Sequence, residues 1–244
     1  MSVNVNKILY EGKAKIIYNG LEPKTLIQHF KDDATANNAE KHAIIKSKGI
    51  LNNFISEFLM NKIELSGIPT HLIKRINDRE QLVKKVTIIP VELVVRNKAT
   101  GSIVKRYGVK ESFEFKKPLI EFFYKNDSLG DPLLNENHIL EFDWAKPNEL
   151  DLMKIYALKI NEVLKEIFNK IKIDLIDFKV EFGRIKDEQN KAFIILADEI
   201  SPDNCRLWDA KTKKKLDKDI FRKDLGDLID GYQEVASRLG IKIN

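Results

Sequence analysis

From Ile176 to Phe182 the chain alternates apolar and charged side chains without interruption, within the longer run Leu175-Ile-Asp-Phe-Lys-Val-Glu-Phe-Gly-Arg184. A period of two belongs to a β-strand: Ile176, Phe178, Val180 and Phe182 point one way, and Asp177, Lys179 and Glu181 point the other. The polar loop Lys186–Lys191 folds this strand onto a partner, Ala192 to Ile200, which carries Asp198-Glu199 near its end. In such a hairpin Glu181 and Asp198 are near or diagonal neighbours on one face. A register slip of one residue sends Asp198 to the opposite face. Two readings of the charged face follow. It is a solvated outer surface with a Lys–Glu ladder, or its two carboxylates share a magnesium ion that bridges nucleotide phosphates.

The rest of the chain divides at Pro90. Before it, Ile8 to Tyr10, Ala14 to Tyr18 and Thr25 to Phe30 read as strands separated by Gly12 and Asn19-Gly20. Ile50, Leu51, Phe54, Ile55, Phe58, Leu59 and Ile63 keep helical spacing up to Gly67 and Pro69. Thr70–Ile76 and Leu82–Ile89 return to strand composition. After Pro90, Val91–Val95 and Leu119–Tyr124 are strand-like, and Asn148 is placed to cap a helix reaching Ile171. A last helix is expected over Asp219–Leu239, with Gly240 as its C-cap. The expected organisation is α+β: a small antiparallel β lobe over residues 1–89 and a larger α+β lobe over residues 90–244.

Composition narrows the function. The 244 residues carry 42 Lys+Arg and 37 Asp+Glu, a net charge of +5, so the expected partners are anions. The single cysteine, Cys205, excludes an intramolecular disulfide and a multi-thiolate metal site, and nothing evident activates it. The longest apolar run, Ala192–Ala197, is far too short to span a bilayer, which makes a membrane role unexpected. The residues MSVNVNKILYEG lack the apolar core of a signal peptide, and the expected location is the cytoplasm. His29, His42, His71 and His138 have no metal-ligand spacing. Neither a Walker A pattern nor a G-x-S-x-G elbow occurs. Nucleic-acid binding is not expected, because the phenylalanines fall mostly at core-periodic positions such as Phe54, Phe58, Phe178 and Phe182 rather than among basic residues.

Three further segments carry candidate chemistry. In Tyr10-Glu-Gly-Lys-Ala-Lys15 a glycine turn precedes Lys13 and Lys15, which share a face on a strand and can both reach one polyphosphate. In Pro90-Val-Glu-Leu-Val-Val-Arg-Asn-Lys-Ala-Thr-Gly-Ser102 an apolar strand runs into Arg96 and a Gly101-Ser102 turn, a combination suited to a phosphate monoester. Ser201-Pro-Asp-Asn-Cys-Arg-Leu-Trp-Asp209 is a compact turn with Asp203 and Arg206 beside a buried type of tryptophan. Each segment also has a plain reading as a solvated loop.

Taken in order with Leu82-Val-Lys-Lys85, Lys125-Asn-Asp127, Asp131-Pro132 and Asp198-Glu-Ile-Ser-Pro-Asp203, these segments resemble the SAICAR synthetase family over nearly the whole chain. The resemblance implies an ATP-dependent ligase of purine biosynthesis. It joins L-aspartate to the carboxylate of CAIR, a carboxylated aminoimidazole ribotide, giving SAICAR, ADP and phosphate. It also implies a kinase-like β lobe against an ATP-grasp-like lobe, with ATP in the cleft, and a homodimer. Carried over residue by residue, Lys13 and Lys15 hold ATP phosphates and Ile17 and Leu26 line the adenine pocket. Lys84, Glu92 and Lys125 lie around the nucleotide, and Glu181 and Asp198 take magnesium. Arg96, Ser102, Arg206 and Arg222 grip the ribotide phosphate, and Asp131 and Lys179 face the imidazole substrate as catalytic residues. Two departures stand out: Asn37-Asn38 replaces a glycine-containing pattern, and Asn204-Cys205 replaces a frequent Gly-Ser pair.

Overall fold

The computed structural model describes residues 7–36, 41–187 and 189–243; Asn37-Asn38 lies outside them. Five antiparallel strands form the first sheet: β1 (Ile8–Glu11), β2 (Lys15–Asn19), β3 (Thr25–Phe30), β6 (Leu72–Arg75) and β7 (Glu80–Lys84), in the order β1-β2-β3-β7-β6. A short hairpin, β4 (Asp33–Ala36) and β5 (Lys41–Ile44), leads into helix α1 (Lys48–Leu65). The run Leu82–Ile89, expected as one strand, is two, because β7 ends at Lys84 and β8 (Thr87–Lys98) begins after a two-residue break and passes through Pro90.

The second sheet is built around β11 (Ile173–Lys186), the longest strand. Its order is β10-β9-β8-β11-β12, with β9 (Glu114–Tyr124), β10 (Leu133–Leu134) and β12 (Ala192–Ala197), and β13 (Cys205–Asp209) also pairs with β11. Opposite β8, the first half of β11 faces β13 and the second half faces β12. The alternation that marks this strand breaks once. Its pairing with β13 jumps between Leu175 and Asp177, and Leu175 rather than Ile176 joins the main apolar core with Phe178, Val180 and Phe182. A bulge of this kind places two residues against one and resets the faces.

Around the second sheet lie α2 (Ser102–Tyr107), α3 (Glu136–Glu141), α4 (Pro147–Lys170), α5 (Asp219–Arg222) and α6 (Leu228–Arg238). Helix α4 is capped by Lys146, not Asn148: Pro147 occupies its first turn, and Glu149 accepts from the Lys146 N–H at 2.8 Å. Proline suits the first helical position because its missing N–H would have no intrahelical partner there. The buried face of α4 is Leu150, Met153, Ala157, Ile160, Leu164 and Phe168, while Leu152, Tyr156 and Val163 flank it. The helix expected over Asp219–Leu239 is interrupted at 223–227, where Gly226 takes φ +130°, a conformation closed to residues with a Cβ. Gly240 does end α6 in a left-handed turn, with φ +73°.

The two sheets meet at one short joint. Leu196 of β12 donates its N–H to Pro69 O at 2.9 Å and accepts from His71 N–H at 2.8 Å, and His71 O accepts from Lys84 N–H at 2.7 Å. The charged face of β11 is therefore roofed by the first sheet, and a cleft of about 320 Å³ lies between them.

Candidate active site

One wall of the cleft is apolar. Ile17 of β2, Leu26 of β3 and Val83 of β7 face it together with Val86 and Ile88. Ile17, Leu26 and Val83 come from neighbouring strands whose alternation turns the same face inward, and Val86 and Ile88 close the slot from the break after β7 and the start of β8, giving a space suited to a flat, apolar ring. Gly12, Lys13 and Lys15 border the slot, with Lys84, Lys125 and Asp127. Lys13 lies in the turn before β2 rather than on the strand, and its Nζ contacts Asp127 at 2.6 Å. Lys84 donates to Thr70 O at 2.9 Å.

The floor is the charged face of β11, and it is not a solvated ladder. Glu181 and Asp177 are each only 2% exposed. Glu181 Oε1 accepts from Lys125 Nζ at 2.7 Å and from Lys179 Nζ at 2.6 Å, and Lys179 also donates to Glu92 Oε1 at 2.8 Å. Burial raises the Glu181 carboxyl, but Lys179, Lys125 and Lys15 outweigh it and hold the group well below the ordinary carboxylate range. Burial leaves the neighbouring Glu92 raised. Lys15 pairs with both Asp198 and Glu199, yet desolvation keeps its ammonium well below the usual lysine value.

Asp198 reaches this floor by a route that strand alternation does not provide. Glu181 pairs with Ala197, so a regular strand would turn the next residue, Asp198, to the opposite face. Strand β12 ends at Ala197, and Asp198 adopts a left-handed conformation with φ +63°. Its carboxylate then lies 3.6 Å from the same Lys179 Nζ that holds Glu181. Burial and the nearby charge of Asp203 push the Asp198 carboxyl up to about 7. Glu181 and Asp198 thus present hard oxygen donors to a single cationic group. Two carboxylates completed by phosphate oxygens are a donor set magnesium ordinarily takes, so these residues fit that ion. Among the described residues no group of three or more His, Cys, Asp and Glu side chains could hold a metal ion.

Towards the other end of β11 the cations are arginines. Arg96 is 2% exposed and each of its nitrogens has a partner: Nε donates to Glu121 at 2.6 Å, Nη1 to Asp177 at 2.5 Å and Nη2 to Ser102 Oγ at 3.2 Å. Arg206 donates to Asp177 at 2.8 Å and to Asp219 at 3.2 Å, and Arg222 reaches the same Asp219 at 2.8 Å. Gly101, with φ +64°, makes room for this cluster, since a Cβ there would stand 2.6 Å from Arg206 Nη2. Asp177, in the middle, links Arg96 and Arg206. Arg96, Ser102, Arg206 and Arg222 therefore come together, as do Lys13, Lys15, Ile17, Leu26, Lys84, Glu92, Lys125, Lys179, Glu181 and Asp198 along the cleft. Asp131 does not join either group. It sits in a left-handed turn, φ +48°, and its carboxylate accepts from the Asn126 N–H at 3.0 Å.

The SAICAR synthetase family model matches residues 8–239, nearly the whole chain. The chain belongs to the SAICAR synthetase family. It is 57% identical over 241 residues to the phosphoribosylaminoimidazole-succinocarboxamide synthase of Wolbachia sp. subsp. Drosophila simulans (strain wRi), covering 99% of this chain and 100% of that one. The enzyme of the same name from Rhodospirillum centenum is also 57% identical, over 96% of this chain and 91% of its own. Among solved structures, the synthase from Ehrlichia chaffeensis superposes with a TM-score of 0.94 at 55% identity, covering 98% of this chain and 100% of that one. A SAICAR synthetase in complex with ADP gives 0.90 at 45% identity, covering 96% and 99%.

Several cleft residues of this SAICAR synthetase family member carry no signal in local sequence. Glu199 joins Lys15 only because the turn after β12 brings it there. Lys218, at the end of the basic run Lys211–Lys218, lines the cleft, and burial lowers its ammonium to about 8. Lys48 is wholly buried and donates to Asp203, itself a cleft residue. His71 also lines the cleft, and burial holds its ring neutral, down to about 3. Cys205 is buried and its thiol is raised, as befits a passive residue.

Proposed function

We propose that this chain is the ATP-dependent ligase of its family, joining L-aspartate to the carboxylate of CAIR and releasing SAICAR, ADP and phosphate. The observation that carries this reading is the layout of β11. Asp177, Lys179 and Glu181 occupy successive positions on one face, spanning ~13 Å at about 3.3 Å per residue. Glu181 belongs to the lysine cluster beside the apolar slot, and Asp177 belongs to the arginine cluster. A nucleotide polyphosphate and a ribotide phosphate are thereby held at opposite ends of one rigid strand, with Lys179 between them.

In this reading Ile17 and Leu26 receive the adenine, and Lys13, Lys15, Lys84 and Lys125 surround the phosphates, with Glu92 orienting Lys179. Glu181 and Asp198 hold magnesium, which when bound screens the phosphate charge. Arg96, Ser102, Arg206 and Arg222 fix the ribotide phosphate. A carboxylate oxygen of the ribotide attacks the γ-phosphorus as the bond to ADP breaks, forming an acyl phosphate. The amine of L-aspartate then attacks the acyl carbon, an amide bond forms, and phosphate leaves with the carbon–oxygen electron pair. Such transfers need positioned cations more than a protein nucleophile, which fits a site of lysines, arginines and carboxylates. Lys179 stays charged throughout, since Glu181 and Glu92 outweigh its burial and raise its ammonium above the usual value. Asp131 acts on the imidazole substrate only if its turn moves towards the cleft.

The two lobes, residues 1–89 and 90–244, correspond on this reading to a kinase-like and an ATP-grasp-like half. The enzyme works as a cytoplasmic homodimer without nucleic acid or membrane. No helix among the described residues is long and apolar enough to cross a membrane.

The test is ADP release together with SAICAR formation from MgATP, CAIR and L-aspartate, with each component omitted in turn. Turnover requiring all of them, and lost in Glu181→Ala and Asp198→Ala, is the expected result. ADP release that ignores CAIR and aspartate would point to another phosphotransferase and overturn the ligase reading.

A further inference from the structure

The segment from Asp198 to Arg206 joins the two charged groups along β11: Asp198 stands with the cleft carboxylates and Arg206 belongs to the arginine cluster at Asp177. Between them lies a tight turn. Ser201 N–H donates to Asn204 Oδ1 at 2.8 Å, Cys205 N–H to Ser201 O at 2.9 Å, and Lys179 N–H to Asn204 O at 2.9 Å. The turn is pinned from outside through Asp203. One carboxylate oxygen accepts from Lys48 Nζ at 2.5 Å, at the first residue of α1, and the other accepts from Tyr232 Oη at 2.5 Å, in α6. Lys48 and Tyr232 are 0% exposed and Asp203 is 8% exposed.

Burying a lysine and an aspartate costs more in lost hydration than an apolar pair of similar volume would, so stability alone is a poor reason for them. Position is a better one. The three groups come from three separate parts of the chain, and each hydrogen bond fixes the turn against a different helix. An ion pair with a third, directional hydroxyl partner leaves the carboxylate no alternative orientation. Asp203 also lines the cleft and lies in the chain between Asp198 and Arg206, so its bonds to Lys48 and Tyr232 hold the turn that joins those two residues.

We propose that Lys48 and Tyr232 are positioning residues: through Asp203 they set the spacing between the nucleotide-binding and ribotide-binding ends of the cleft. The inference rests on the ligase reading above. Neither residue touches the substrates, and each acts by holding the turn. A displacement of about 1 Å between reacting groups can cost on the order of 100-fold in rate, so small movements of the turn are sufficient.

The experiment compares the wild-type enzyme with Tyr232→Phe, which removes one hydroxyl and keeps the ring, and with Lys48→Met. Steady-state kinetics are measured for ATP and CAIR at a temperature where circular dichroism shows each variant fully folded. Tyr232→Phe is expected to lower kcat by about tenfold, with the KM values for ATP and CAIR changing less than threefold. Lys48→Met is expected to lower kcat further, and the double variant to lose less than the product of the two single losses, because both act through one carboxylate. A Tyr232→Phe enzyme with a lower melting midpoint but wild-type kcat and KM would make the cluster merely structural and overturn the inference. An inactive, folded wild type would overturn the ligase reading and this inference with it; an active wild type beside an unaffected Tyr232→Phe overturns this inference alone. If Lys48→Met does not fold, Tyr232→Phe decides the matter by itself.

Discussion

In the arginine cluster of β11, Arg96, Arg206 and Arg222 are already held by Asp177, Asp219 and Glu121 in a fixed lattice of hydrogen bonds. In the cleft, Lys15, Lys125 and Lys179 crowd against Glu92, Glu181, Asp198 and Glu199, and several of these groups have strongly displaced proton affinities. The difference follows from the side chains. A guanidinium is planar and permanently charged, and it can bind a phosphate with one edge while an acid holds the other. An ammonium is a point charge on a flexible stem, which releases one partner and takes another. On the proposed reading, the arginine cluster is preorganised for the ribotide phosphate, whereas the lysine–carboxylate pairs of the cleft would give way to metal and phosphate contacts.

The largest effect that would sharpen this contrast is at Glu181. Glu181→Ala is expected to cost on the order of 10²–10³ in kcat, as loss of one preorganised electrostatic group does, and to weaken MgADP binding measured by calorimetry. Next comes Arg96→Lys, which keeps the charge and removes the fork. A fall of about 30- to 100-fold in kcat/KM for CAIR, with KM for ATP unchanged, is expected from losing bidentate geometry. Equal losses for both substrates would break the division between the two ends. Gly101→Ala tests the same cluster without touching a charge. Its Cβ would press on Arg206 from a backbone conformation unfavourable to alanine, and about a tenfold rise in KM for CAIR is expected.

The smallest effect lies away from both ends. Asp32 accepts two hydrogen bonds from Arg79, at 2.9 and 2.8 Å, and one from the Gly49 N–H at 2.9 Å. Burial raises its carboxyl, but these donors prevail and hold it below its ordinary 3.8. A lowered carboxyl stabilises the fold above that ordinary value, and the contribution disappears as pH falls through and below it. Asp32→Asn should therefore cost about 1–2 kcal/mol at pH 7 in denaturant unfolding, with the gap to wild type closing below about pH 4. Its kinetic constants should be those of the wild type, since Asp32 holds α1 to the first sheet and not the substrates.

Much of this was legible locally. Thr25–Phe30 forms a strand with those bounds, and the helix expected from Ile50 is present from Lys48. The charged face of β11 lies on the side that alternation assigns it, because a period of two is a property of neighbouring residues. Lys13 came to the cleft, and Arg96 and Arg206 to one cluster beside β11, because each lies on or next to a strand whose direction is set by its own apolar residues. Elsewhere local pattern misled. The apolar spacing after Asp219 continues across Gly226 although the helix does not, and Asn148 resembles a cap although Pro147 and Glu149 place the cap two residues earlier, at Lys146.

By itself the sequence determined single elements such as Thr25–Phe30 and the helix from Lys48, the sidedness of Asp177, Lys179 and Glu181, and the family motifs. These depend on residues a few positions apart, where backbone geometry fixes direction. Only the tertiary structure decided that Asp198 returns to the face of Glu181, because a left-handed residue after the last ladder pair overrides alternation. The same holds for the meeting of Lys48, Asp203 and Tyr232 at one carboxylate. Those groups are brought together by the packing of α1 and α6 around a turn, and no periodicity records a contact between side chains so far apart in the chain. Burial then gave the cleft its chemistry, since the proton affinities of Lys15 and Asp198 are set by the lost water and the neighbouring charges rather than by residue type.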